Sequence, residues 1–342
     1  MKKYNVGIIG YGWAAEAHIA AINATTLGKV TSVCSSRSLH PAELAARHGH
    51  PIQCFQDMAL FLAQPDLHVV SVCSFPQDHL HHASAAAKAG KHLIIEKPLA
   101  LTWEGCQSIQ QIVQASGVRA CVCFECRYSS QLQSTRSIIE RGLLGKIHYG
   151  EVDYYHGIGP WYNQYRWNTR KEAGGSSLLS AGCHALDALL FLMGQDVEVA
   201  SSYTARSENK DFARYEYPTT SVTILKFKDG RVGKVASVID ALQPYYFRVH
   251  LVGSEGSLLD NKFYSTQMGQ LDRNKWSTLS FKMLDSGDAS DHPYQAQFEA
   301  FFQSLLKNEE MPWTNLTQAL KTHAVIFAAD SSAQRHERSH PH

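Results

Sequence analysis

The chain falls into two stretches by the period of its apolar positions. Over residues 4–124, short, mainly apolar runs at 4–9, 30–34, 67–72 and 93–95 alternate with segments whose apolar residues recur at helical spacing, at 16–24, 41–48, 57–63, 78–89 and 103–115. A run without in–out alternation is what a strand covered on both faces requires, so these runs read as parallel strands. Weaker runs near 52–54 and at 118–124 complete the series. Strand and helix in regular succession predict an α/β domain on a doubly wound parallel sheet. Beyond 124 the rhythm changes. A helical pattern at 130–140 is followed by runs at 147–155, 197–205, 219–227, 233–239 and 246–252 that alternate apolar and polar. That alternation predicts an α+β domain on an open, mainly antiparallel sheet with one wet face. The apolar segment 178–191 reads as a core helix, and 315–334 as a C-terminal helix.

The first turn of the chain carries the first chemistry. Gly10-Tyr11-Gly12-Trp13-Ala14-Ala15 is a G-x-G-x-x-A sequence set between a strand and a helix. Gly10 permits a tight turn, Gly12 leaves room for a pyrophosphate, and Ala15 lets helix and strand pack closely. The helix N-terminus adds N–H groups and the positive end of its dipole. A dinucleotide cofactor is therefore expected. The second strand ends in Ser35-Ser36-Arg37-Ser38, without the Asp or Glu that usually holds the ribose hydroxyls of NAD. Hydroxyls and a guanidinium suit a 2′-phosphate, which favours NADP over NAD. The expected cofactor-binding residues are Gly10, Gly12, Trp13, Ala15, Ser35, Ser36, Arg37, Ser74, His79, Glu96 and Lys97.

The run Leu93-Ile94-Ile95 closes on Glu96-Lys97-Pro98. The carboxyl end of a parallel strand faces the ligand crevice of an open α/β sheet, and a proline keeps the preceding residue out of a helix. Lys97 is thus expected to present its ammonium to the crevice. In the second stretch, Trp161, Tyr162, Arg166 and Trp167 precede the apolar helix. Aromatic rings suit the apolar faces of a pyranose, and a guanidinium suits hydroxyls or a carboxylate. On the helix itself, His184 and Asp187 share a face, and a charged pair on so apolar a segment is costly unless it is partnered or used. Oxidising a secondary alcohol needs a base that titrates near neutrality, as histidine does, and an ammonium beside the same oxygen stabilises the developing alkoxide.

Composition narrows the choice. The 342 residues exceed one typical domain, and 44% hydrophobic with 18% charged residues suits a soluble globular protein. A net charge of +1 gives no field for nucleic acid or an anionic membrane. The longest apolar stretch, near 185–193, contains Asp187 and is too short to span a bilayer. With no signal peptide in view, and eight cysteines scattered through apolar runs, a reducing, cytoplasmic location is expected. Cys121, Cys123 and Cys126 form C-x-C-x-x-C without a second pair. His79, His81 and His82 share a helix with no carboxylate fixed opposite, so no metal is expected.

Taken in order, four features resemble the glucose–fructose oxidoreductase and inositol dehydrogenase (Gfo/Idh/MocA) family. They are the glycine turn, Glu96-Lys97-Pro98, the G-x-H-x-x-D segment at Gly182, His184 and Asp187, and Thr322-His323 with Ala328-Ala329-Asp330-Ser331 in the last helix. The resemblance implies a Rossmann domain over 1–124 and a substrate-binding and oligomerisation domain over 125–314. A helix at 315–335, with Leu316, Leu320, Ala324 and Phe327 on its apolar face, is expected to return to the Rossmann domain. The resemblance implies hydride transfer between NAD(P) and a secondary alcohol or ketone of a sugar, polyol or sugar derivative. Lys97 and His184 are then the catalytic pair, expected to converge on the nicotinamide, with Trp161, Tyr162, Arg166, Trp167, Ser180 and Asp187 at the substrate. The implied partners are a small carbohydrate-like molecule and further copies of the chain, as a dimer or tetramer, with no nucleic acid and no membrane. Many members carry Asp where this chain has Ser180. Two other readings are a glycoside-cleaving enzyme that oxidises only transiently and a non-catalytic cofactor- or sugar-sensing protein. The first would release product without net change in NAD(P)H, and the presence of both Lys97 and His184 counts against the second.

Overall fold

The structure, a computed structural model, describes residues 4–285 and 292–338. It separates into two compact units. One runs to Glu125 and resumes over His292–Leu320, and the other starts at Cys126 and resumes at Lys321.

The first unit holds strands β1 (Tyr4–Ile9), β2 (Gly28–Cys34), β3 (Gln53–Phe55), β4 (Val69–Val72), β5 (His92–Ile95) and β6 (Ala120–Val122). All pair in parallel, in the order β3-β2-β1-β4-β5-β6. Helices α1 (Trp13–Ala24), α2 (Pro41–His48), α3 (Met58–Leu62), α4 (His79–Lys88) and α5 (Trp103–Ser116) make the crossovers. Ile8, Val70, Ile94 and Val122 are wholly buried, which explains the mainly apolar runs. Local chemistry sets the helix ends. Asp57 accepts from the N–H groups of Ala59 and Leu60 to start α3, and the Thr102 hydroxyl accepts from the Gly105 N–H to start α5. The strand order reverses between β1 and β4, so the crevice expected of this topology opens at their carboxyl ends.

In the second unit α6 (Ser130–Glu140) leads to β7 (Ile147–Tyr155) and two short helices, α7 (Tyr165–Asn168) and α8 (Lys171–Gly174). A π-turn, Leu178–Gly182, runs directly into α9 (Cys183–Met193). Strands β8 (Val197–Ala205), β9 (Thr220–Phe227), β10 (Val232–Val238), β11 (Tyr246–Gly253), β12 (Gly256–Leu259), β13 (Lys262–Ser265) and β14 (Ser277–Thr278) complete one eight-stranded sheet. Its order is β14-β13-β12-β11-β7-β10-β9-β8, antiparallel throughout except between β7 and β10. Buried α9 packs on β7 and β10. The opposite face carries Tyr203, Ile224, Val232 and Tyr246, all exposed. The helical run from Lys171 to Met193 is longer than the 185–193 stretch considered from sequence. By length and composition it passes for a membrane span, but it is almost wholly buried inside the chain, as a core helix is.

Two helices end the chain, α10 (Tyr294–Lys307) and α11 (Leu316–Arg338), and they correct the sequence division. Residues 292–314, assigned from sequence to the second domain, belong to the first unit. Gln297 Nε2 donates to the Val122 carbonyl and to Thr314 Oγ1. The Val122 N–H donates to the Thr314 carbonyl and Asn315 makes an isolated antiparallel bridge to Cys121, so this segment docks beside β6. The expected return of 315–335 to the first domain holds only for Leu316–Leu320. Beyond them α11 bonds within the second unit, through Thr322 to Asp187, Asp330 to Ser176 and Ser332 to the Ser202 N–H.

Candidate active site

The first unit gathers its polar groups at the carboxyl ends of β1, β2, β4 and β5. Gly10 follows β1 with φ +88°, and a Cβ there would lie 2.8 Å from the Ser74 nitrogen in the loop after β4. Only glycine lets those two loops meet in that conformation. Gly12, at the head of α1, is exposed, has nothing within 4 Å of where a Cβ would sit, and gives the helix no side-chain cap. An open, uncapped helix N-terminus beside a glycine is a cradle that fits a diphosphate. Ala15 is fully buried against the sheet, and Trp13 stands edge-on to the His292 ring with centroids 5.9 Å apart. At the end of β2 the buried Ser35 accepts from the Arg37 N–H at 3.2 Å. Ser36 and Arg37 are exposed, and the Arg37 guanidinium donates to the Tyr11 carbonyl within the glycine turn. These residues fit a dinucleotide, with Gly12 and the α1 N-terminus at the diphosphate and Ser36 and Arg37 at the adenosine ribose.

Lys97 follows β5, joined to Pro98 by a cis peptide bond. Its N–H donates to Glu96 Oε2 at 3.1 Å. Glu96 Oε1 accepts from the Tyr294 hydroxyl at 2.7 Å and lies 2.8 Å from His18 Nε2. His18 is wholly buried on α1, and its Nδ1 lies 2.7 Å from Ser71 Oγ and 3.3 Å from Cys73 Sγ. Burial opposes charge on His18, but the Cys73 sulfur and the Glu96 carboxylate outweigh it and hold the ring up at about 10. Burial likewise opposes the Glu96 charge, yet His18 and Lys97 hold that carboxyl down at about 2. The two form a buried ion pair directly behind the Lys97 backbone. Glu125, wholly buried just past β6, behaves oppositely. Burial and the Glu96 charge push it up to about 8 against the pull of Lys97, so it carries a proton at neutral pH. His18, Glu96 and Cys123 are close enough together to resemble a metal trio. His18 and Glu96 already bond each other, however, and burial pushes the Cys123 thiol well above its usual range. Burial also pushes Cys121 up to about 12, leaving neutral thiols that make poor ligands.

In the second unit the π-turn carries Ser180 and delivers His184 to the first turn of α9. Such turns recur at functional sites because they displace side chains from the regular helical stripe. Ser180 and His184 are each 5% exposed. Ser180 lies by the Tyr217 hydroxyl, and His184 Nδ1 is 3.6 Å from Cys126 Sγ. At the end of β7 the Tyr154 hydroxyl lies 3.0 Å from His156 Nδ1, and the His156 ring stands edge-on to Tyr162 and Tyr245 at 4.7 and 5.3 Å. His156, Gly157, Trp161, Leu242, Tyr245 and Asp285 line a cleft of about 550 Å³. Arg166 is exposed and Trp167 half-buried on α7.

Three of the expected site residues are engaged in internal contacts. His79 is buried: its Nδ1 lies 2.8 Å from the Pro98 carbonyl and its Nε2 3.0 Å from that of Ser74, tying the loops after β4 and β5 together. Burial lowers its pKa. Glu96 bonds His18, Tyr294 and the Lys97 N–H, so it positions its neighbour. Asp187 is held by bonds within the second unit. Arg127 grips it from Nε at 2.7 Å and Nη2 at 2.6 Å, Thr322 adds a third bond at 2.8 Å, and it is 1% exposed. Sequence reasoning missed His18, Glu125, His156 and Tyr294. His18 had a usable signal, a polar residue on the buried face of α1 between Ala15 and Ile22. Glu125 and Tyr294 gave none, because their partners, Glu96 among them, are remote in sequence.

Comparison with known proteins matches both parts of the chain. Residues 4–124 match the model of an oxidoreductase family with an NAD-binding Rossmann fold, and residues 132–259 that of the GFO/IDH/MocA C-terminal domain. An uncharacterised oxidoreductase of Bacillus subtilis is 23% identical over 97% of this chain and 94% of its own. The levoglucosan dehydrogenase of Pseudarthrobacter phenanthrenivorans is 26% identical over 76% of this chain and 74% of its own. A solved levoglucosan dehydrogenase, in complex with NADH and levoglucosan, shares the fold with a TM-score of 0.81 over 98% of each chain at 21% identity.

Proposed function

The chain belongs to the GFO/IDH/MocA oxidoreductase family and is an enzyme acting on CH–OH groups, and on that premise we propose that it is an NAD(P)-dependent dehydrogenase or reductase of a sugar, polyol or sugar derivative. The observation that carries the reading is the row of carboxyl ends in the first sheet. The open Gly12 cradle follows β1, Lys97 follows β5, and only β4 separates the two strands. Bound nicotinamide supplies the hydride acceptor. His184 takes the proton of the substrate hydroxyl as the carbon loses its hydrogen with the bonding pair and the carbonyl forms. The Lys97 ammonium stabilises the negative charge that develops on that oxygen. Ser180, a poor base at neutral pH, contributes a hydrogen bond where many relatives place a carboxylate. Tyr162, Trp161 and Trp167 offer rings to the apolar sugar faces, and Arg166 its guanidinium to hydroxyls.

Arg37 and Ser36, in a strand end whose sequence Ser35-Ser36-Arg37-Ser38 holds no Asp or Glu, support NADP as the preferred cofactor. The exposed Tyr203, Ile224, Val232 and Tyr246 on the outward sheet face support a homo-oligomer formed through that face. The test is reduction of NAD⁺ and NADP⁺, followed at 340 nm, with a panel of hexoses, inositols and glycosides. Turnover with at least one of them is expected, with the oxidised sugar and NAD(P)H formed in equal amounts. Sugar cleavage without net cofactor reduction, or no turnover with any of them, overturns the assignment.

A further inference from the structure

Trp161 is exposed yet held. Its indole is 59% accessible, but Nε1 donates to the Gly157 carbonyl at 2.9 Å and its edge meets Phe212 at 6.1 Å. It sits in the tight turn closed by the Tyr162 N–H on the Gly159 carbonyl. The ring lies over two glycines. A Cβ at Gly159 would come within 2.5 Å of the indole, and one at Gly157 within 3.3 Å of it and 2.6 Å of the Ala241 carbonyl. Side chains at either position would push the ring from its place. A large aromatic left in solvent but fixed by a hydrogen bond, a ring contact and a glycine floor is a preorganised platform, since little conformational freedom is lost when a ligand stacks on it.

The platform borders a cleft of about 550 Å³, a volume typical of sites that enclose a whole small ligand and larger than one pyranose needs. Leu242, 66% exposed, gives a second apolar surface, and Gln243, Asp285 and His156 supply polar groups at the margins. One apolar face with hydroxyl partners at its rim is the chemistry of a sugar ring. A chain of side-chain contacts links His156 of the cleft to the proposed proton acceptor. His156 contacts Tyr154, Tyr154 lies within electrostatic reach of Cys183 and Cys126, and Cys126 is 3.6 Å from His184 Nδ1.

We infer that the cleft floored by Trp161 is a subsite for a second sugar ring, and that the natural substrate is a glycoside or oligosaccharide, not a free monosaccharide. The inference rests on the proposed function, for it supposes that one ring of the substrate is oxidised. The ring at Trp161 does not react, so its binding energy serves to hold the reacting ring in place.

The experiment compares kcat/KM of the intact protein for D-glucose, D-galactose and D-mannose with that for maltose, cellobiose, lactose and the methyl glycosides. It is repeated with Trp161→Ala and Trp161→Phe. The unmodified protein should prefer a disaccharide over its monosaccharide by about tenfold or more, the scale of one buried aromatic contact. Trp161→Ala should cut that ratio about tenfold, mainly through KM, and Trp161→Phe should restore most of it. Equal use of mono- and disaccharides, or a ratio untouched by Trp161→Ala, overturns the second-ring subsite while leaving the oxidoreductase assignment standing. No cofactor reduction with any sugar overturns that assignment and the subsite with it.

Discussion

Replacing His18 by leucine tests the buried ion pair behind Lys97. The imidazolium is wholly buried and bonded to Glu96 at 2.8 Å, so its loss leaves a carboxylate with burial against it and, among the described residues, the Tyr294 hydroxyl and the Lys97 N–H as donors. Removing one partner of a buried pair costs about 3–5 kcal/mol. At about 2–4 °C per kcal/mol for a unit of this size, Tm should fall by roughly 6–20 °C. The pH dependence has a definite sign. The raised His18 pKa contributes stability fully below 6.5, its ordinary value, and loses it as pH climbs toward about 10. The lowered Glu96 pKa contributes stability above 4.5 and loses it as pH falls toward about 2. The pair therefore stabilises most between 4.5 and 6.5, and the unmodified protein should lose stability from pH 6.5 to 10 more steeply than His18→Leu. Thermal melts by circular dichroism across pH 5–10 read this directly. A loss below about 1 kcal/mol, or identical alkaline slopes in both proteins, would refute the pair. Because Glu96 also holds the Lys97 N–H, His18→Gln should lower kcat more than it raises KM for the cofactor.

Glu125 has the opposite sign. Its carboxyl is raised to about 8, so it destabilises the fold progressively as pH rises from 4.5 to 8, and Glu125→Gln should flatten that part of the melting profile. An unchanged profile would count against the buried neutral acid. Arg37→Ala should weaken NADP binding about tenfold or more and NAD binding much less, read by fluorescence titration. Tighter binding of NAD than NADP to the unmodified protein would show the missing carboxylate to be misread. Ile224→Lys with Tyr203→Lys should convert an oligomer into monomers by light scattering, and an unchanged mass would place any interface elsewhere.

Much of the first unit was legible in the sequence because its strands are buried on both faces and its turns use glycine for reasons of local geometry. Gly10 and Gly12 gave the cradle before any coordinates, and Lys97 its place at a strand end. What could not be read was pairing across distance. The apolar helix announced that Asp187 needed a partner, but that partner is Arg127, 60 residues away. The alternation that marked the five longer strands fails for β12, β13 and β14, which are too short to show a period. Helix α10 is not marked by the sequence pattern, so the place of 292–314 in the first unit was unforeseen. It depends on Gln297 and Thr314 reaching the edge of β6, a contact no local pattern encodes. The π-turn was equally hidden, since Leu178–Gly182 has the composition of ordinary helix.

The central claim is that His184 accepts the substrate proton in a nicotinamide-dependent oxidation assisted by Lys97. The direct measurement is the single-turnover rate of cofactor reduction by a confirmed sugar substrate, in the unmodified protein and in His184→Ala, with cofactor affinity measured in parallel. The rate should fall about a hundredfold to ten-thousandfold, the usual scale for losing a general acid–base group, with cofactor binding retained because Gly10, Gly12 and Ala15 are untouched. A His184→Ala protein that reduces its cofactor at a near-normal rate, with Ser180→Ala abolishing reduction instead, would contradict the assignment.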